Sequence, residues 1–126
     1  MLLVDRLLHR DREIESAVVE AVVPEAGVFV DPEGKLLPEY FIELVAQSMA
    51  AVNGYDCRCD GLGPGRGFLV GIESFSWQGG AEPREILEVE MEKTLEFGPV
   101  TVMKGRVLNS SGGVLAEGQI KVWEEK

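Results

Sequence analysis

Histidine is almost missing from this chain: His9 is the only one in 126 residues, and Cys57 and Cys59 are the only cysteines. One histidine and two cysteines fall short of a closed metal site unless carboxylates join them. Two cysteines one residue apart, with no further partner, exclude a disulfide framework. They read as free thiols in a loop after a helix, and reduced thiols suit a cytoplasmic protein. No metal or organic cofactor is expected.

Long apolar runs are also lacking. The start, MLLVDRLLHRD, is interrupted at Asp5, too early for the apolar stretch of a signal peptide. No segment approaches the roughly 20 apolar residues that a spanning helix needs. Positive charge is scarce: 12 Lys and Arg face 22 Asp and Glu, a formal net charge of −10. Such a surface repels phosphate backbones and anionic lipid, so neither nucleic acid nor a membrane is an expected partner. No Gly-x-Ser-x-Gly is present, which with a single histidine argues against a serine hydrolase. The string GLGPGRG at residues 61–67 lacks the Gly-Lys-Ser/Thr of a phosphate loop. A helix before it and a strand after it rule out a dinucleotide fingerprint, and it reads as a surface loop.

What is present is enough for one core. Apolar residues make up 45% of the chain, a real core at this size, and a single domain over residues 1–126 is expected. Val4 to His9 reads as a short strand, Arg10 to Arg12 as a turn, and the valine-rich Glu13 to Val23 as a longer strand ended by Pro24. Pro24, Gly27, Pro32 and Gly34 mark a structured loop with a brief strand at Val28 to Val30. Pro38 to Asn53 is a helix, with proline in its first turn, Glu39 at its positive pole and Gly54 as a stop. Only Glu43, Gln47 and Ser48 are polar between Tyr40 and Val52, the pattern of a helix buried nearly all round. Tyr55 to Gly67 reads as a loop. Strands follow at Phe68–Trp77, Ile86–Phe97, Val100–Leu108 and Val114–Trp123, the last two joined by the turn residues NSSGG. In the second of these Leu87, Val89 and Met91 alternate with Glu88, Glu90 and Glu92. One buried helix and a long antiparallel sheet make an α+β fold in which the sheet wraps the helix.

Glu43 stands out within that helix. Its neighbours Ile42, Leu44, Val45 and Ala46 are apolar, so an ionised carboxylate must face a polar cleft or else take up a proton. Such a carboxyl can act as a general acid or base, and Gln47, one turn on, can orient it or bind the same water. The alternative is an ion pair with an arginine at a subunit edge.

LLVDRLL at residues 2–8, LPEYFIELVAQSMAAVNGY at 37–55 and GFLVGIESFSW at 67–77 occur in that order. Together they resemble the 3-hydroxyacyl-[acyl carrier protein] dehydratases of fatty-acid synthesis, and most closely the small dehydratase-like subunits of aryl polyene clusters. Those helices begin P-x-W-x-x-E-x-x-A-Q. Here Pro38, Glu43, Ala46 and Gln47 match, and Tyr40 takes the aromatic position. The resemblance implies a hot-dog fold, a dimer or larger assembly of like or unlike hot-dog subunits, and a substrate carried as a thioester on acyl carrier protein or CoA. It implies Glu43 as the catalytic carboxylate that handles the substrate hydroxyl, with Gln47 and Gly71 contacting substrate. A docking carrier protein, itself acidic, would need a local basic spot, for which Arg58, Arg66 and Lys104 are candidates.

The departure lies in the base. The family takes the proton alpha to the carbonyl with a histidine in an H-F-P-x-x-P loop before the helix. The corresponding VFVDPEGKLLPE, residues 28–39, has no histidine, and His9 reads as an exposed residue beside a charged turn. Three explanations follow: a partner subunit supplies the histidine, Asp31 or Glu33 takes the role, or the chain binds thioesters without dehydrating them or only stabilises an active dehydratase partner as a non-catalytic subunit. A hot-dog thioesterase, in which Glu43 activates water or acts as nucleophile, is the rival enzyme class.

Overall fold

The computed structural model describes residues 2–61 and 68–124. Strands β1 (Arg6–Asp11) and β2 (Ser16–Val22) come first, then helix α1 (Glu39–Cys59). Strands β3 (Phe68–Trp77), β4 (Ile86–Phe97), β5 (Val100–Leu108) and β6 (Val114–Glu124) complete the chain. All pairs are antiparallel in one six-stranded sheet of order β1-β2-β4-β5-β6-β3, so β1 and β3 are its edges. No described helix is long and apolar enough to cross a membrane.

The strand alternation works as the residues predict. On β4, Leu87, Val89 and Met91 are buried, and opposite them on β2 so are Ala21, Val19 and Ala17. These side chains, with Val107 of β5 and Ala116 and Ile120 of β6, form the floor on which α1 lies. Gly105 lets the helix come close, since a Cβ there would stand 2.8 Å from Cγ1 of Val45.

Three boundaries differ from expectation. The first turn falls later, because Asp11 Oδ1 accepts the N–H groups of Glu13 and Ile14. That fixes a turn over residues 12–15 and delays β2 to Ser16. The expected strand at Val28–Val30 is reduced to a bridge between Val30 and Leu36.

The helix runs past Gly54 to Cys59, so both cysteines lie on its last turns rather than in a loop. A glycine inside a helix costs only about 1 kcal/mol, and tertiary contacts outweigh it here. Arg10, with its side chain 8% exposed, forms a two-pronged ion pair with Asp56 at 2.6 and 3.1 Å. Arg12 reaches Asp60 at 2.7 Å. Residues 62–67, which hold most of the GLGPGRG string and Arg66, lie outside the described residues.

The helix is not enclosed all round. Tyr40, Phe41, Leu44, Val45, Ser48, Met49 and Val52 are buried, whereas Glu43, Ala50 and Gly54 are exposed. One sheet covers one side of a cylinder, and the opposite side of α1 carries small or polar residues that tolerate water. Ser48, inside the core, satisfies its hydroxyl by donating to the Leu44 carbonyl at 2.7 Å.

Candidate functional site

Glu43 lies on the outward side of α1, exposed in the single chain. Its carboxylate is nevertheless held in place. Gln47, one turn along, donates from Nε2 to Glu43 Oε1 at 3.1 Å. The amide oxygen of Gln47 accepts the backbone N–H of Leu3 at 2.7 Å. That second bond fixes which end of the amide faces Glu43, so the segment before β1 sets the orientation of a side chain 44 residues later in the chain. The sequence pairs Glu43 with Gln47 through the helical repeat. Leu3 carries no such signal, because it acts through its backbone.

Beside Gln47 an open groove of about 740 Å³ runs along the outward face of the helix. Val4, Leu7, Ala50 and Ala51 are among its apolar lining, Arg6 lines it from β1, and Tyr55 and Arg58 line it from the last turns of α1. Arg6 is paired with Glu20 at 2.9 Å.

The remaining expectations fall elsewhere. Gly71 sits on the edge strand β3 opposite Lys121, exposed, with open space where a Cβ would be. It does not line the groove beside Gln47. Lys104 lies on β5 between Glu92 and Gln119. His9 is exposed on β1. In the loop before the helix, Asp31 Oδ1 accepts the N–H groups of Glu33 and Lys35, so that carboxylate holds the turn together.

Two features of the interior escaped sequence reasoning. Tyr40 is fully buried at the start of the helix, edge-on to Phe29 and Phe41, and its hydroxyl has no hydrogen-bond partner among the described residues. Burial, helped by the negative Asp5, pushes its pKa up to about 12. A second pocket of about 260 Å³ lies beside the last turns of α1, lined by Met49, Met91, Met103 and Cys57 together with Arg10 and Asp56.

Comparison with known proteins bears on the family and the fold. The family model of the ApeP-like proteins, described as ApeP dehydratase, matches residues 1–126. No curated protein matches the chain. Among solved structures, the dehydratase heterocomplex ApeI:P from Xenorhabdus doucetiae superposes with a TM-score of 0.81 at 19% identity, over 100% of this chain and 84% of that one. A hypothetical thioesterase with coenzyme A from Streptococcus pneumoniae TIGR4 gives 0.70 at 15% identity, over 94% and 84%. A putative thioesterase, a phenylacetic acid degradation-related protein from Ralstonia eutropha JMP134, gives 0.73 at 15%, over 93% and 82%. At these identities the superpositions establish the fold, and the fold is the hot dog.

Proposed function

The chain belongs to the ApeP-like dehydratase family, and from that premise we propose that it is the carboxylate-bearing half of a hot-dog dehydratase acting on a 3-hydroxyacyl thioester. A single observation carries the reading: Glu43 is held on an outward helix face by Gln47, itself anchored by the Leu3 N–H, in a chain whose only histidine lies on another element. The site is half built. In the elimination, a base removes the proton alpha to the thioester carbonyl. The electron pair forms the new double bond as the hydroxyl at the beta carbon departs, taking a proton from Glu43 to leave as water. A backbone N–H would steady the enolate oxygen during this step.

A histidine on a partner hot-dog subunit is the base. Within this chain Asp31 is engaged in holding its own turn, and a carboxylate is a weaker base than imidazole near neutral pH. The exposed face of α1 and the unpaired edge of β3 are where a second subunit fits. Covering Glu43 by that subunit would exclude water from the reacting centre. Gly71, on the same edge, offers an approaching chain or substrate a backbone free of side-chain obstruction. Acyl carrier protein or CoA would deliver the thioester.

The test uses this chain alone, a histidine-bearing hot-dog partner alone, and the two together, each incubated with a 3-hydroxyacyl thioester and a plain acyl thioester. Elimination is expected only from the pair. Glu43→Gln is expected to lower it by about 10²–10⁴-fold. Hydrolysis by this chain alone would establish a thioesterase instead, and undiminished elimination by the Glu43→Gln pair would remove Glu43 from the chemistry.

A further inference from the structure

The groove beside Gln47 is lined by Arg58 near the C-terminal end of α1, a cation in a strongly acidic protein. The chain carries a net charge of −10. Near the end of α1, Asp56 is neutralised by Arg10, and Asp60 by Arg12. Arg6 is matched by Glu20. Arg58 forms no ion pair among the described residues and is left as the uncompensated charge in the groove lining. The helix C-terminus opposes it with only about half a unit of negative charge, screened by water.

Position sharpens the point. Fifteen residues separate Glu43 from Arg58, so along the helix axis the two stand about 22 Å apart, and about 60° apart around it. They share the outward side, with the apolar floor of Ala50 and Ala51 between them. An extended phosphopantetheine arm spans a comparable distance, with its thioester sulfur at one end and its phosphate at the other.

The geometry points to Arg58 as the reader of that phosphate: the arm lies along the groove over Val4, Leu7, Ala50 and Ala51, and its thioester is delivered to Glu43. The inference rests on the thioester reading above and names the feature of the substrate that the chain recognises. Coenzyme A and carrier proteins share this phosphate, so either source presents the same group. Arg58 is a binding residue here and takes no part in proton transfer.

The experiment measures binding by titration calorimetry, using a non-hydrolysable acyl phosphopantetheine, the same acyl pantetheine without phosphate, and the matching CoA and carrier-protein conjugates. The unmodified protein is expected to hold the phosphorylated arm about tenfold tighter than the dephosphorylated one. Arg58→Ala should erase that preference, leave the weaker affinity unchanged, and leave the melting temperature unchanged. Ala50→Trp, which fills the groove, should weaken both arms. Arg106→Ala, paired with Glu90 on the sheet, should change neither. A preference that survives Arg58→Ala with both CoA and carrier conjugates overturns the proposal. So does an equal loss in Arg106→Ala, or binding indifferent to Ala50→Trp. Loss of preference for one conjugate alone supports it and names the source. The unmodified pair separates the two readings: phosphate-dependent binding without any elimination would retain the groove and discard the dehydratase.

Discussion

On its inward side α1 presents Tyr40, Phe41, Leu44, Val45, Met49 and Val52 to the sheet, and all are buried. On its outward side Glu43, Ala50, Gly54 and Arg58 meet solvent. The two sides share one backbone and one repeat, yet they answer to different constraints. Packing density governs the inward side, where a single methyl group is felt. The outward side is free of that constraint and carries a held carboxylate, an apolar floor and a cation without an ion pair among the described residues. The helix is thus a packing element on one side and, in the function proposed above, a site on the other.

Substitutions on each side break or sharpen that contrast. The largest effect is expected from Phe41→Ala, an inward change at a fully buried ring. It should lower stability by about 3–5 kcal/mol in denaturant titration, and a loss below about 1 kcal/mol would mean that the inward side is loosely packed. Gly105→Ala probes the same contact from the sheet. The new methyl group meets the stiff side chain of Val45, and a loss of about 1–3 kcal/mol is expected.

Smaller effects come next. Gly54→Ala is an outward change inside the helix, where a Cβ meets open space. It should raise stability by about 0.5–1 kcal/mol, read as a higher melting temperature. A destabilising result would show that this side is already covered within the chain. Tyr40→Phe removes the one buried hydroxyl without a partner among the described residues. Stability should stay level or rise by no more than about 1 kcal/mol. A loss greater than that would mean that the hydroxyl finds an acceptor, and that the inward side includes a polar contact.

Much of this was legible from residues alone. The limits of β3, β4 and β5 follow from alternation and turn chemistry, and the NSSGG turn closes as its composition predicts, with Asn109 Oδ1 accepting the N–H groups of Ser111 and Gly113. The family motif singled out Glu43 and Gln47, and the structure joins them by a hydrogen bond. The length of the helix was not legible, because Gly54 is a stop signal that local propensity alone would obey. The ion pairs that override it come from Arg10 and Arg12, more than 40 residues earlier. The exposure of Glu43 was hidden for a related reason. An apolar run reads as buried on every side, and only the placement of the sheet decides which side is left open.

The amino-acid sequence by itself determined the order of the elements, the apolar alternation of the strands and the carboxylate–amide pair on one helix, because each depends on neighbours within a few residues. Tertiary structure alone decided how far the helix runs, which of its sides faces water, and that the backbone of Leu3 anchors Gln47. Those outcomes depend on contacts between segments far apart in the chain, and local preference does not encode where such segments meet.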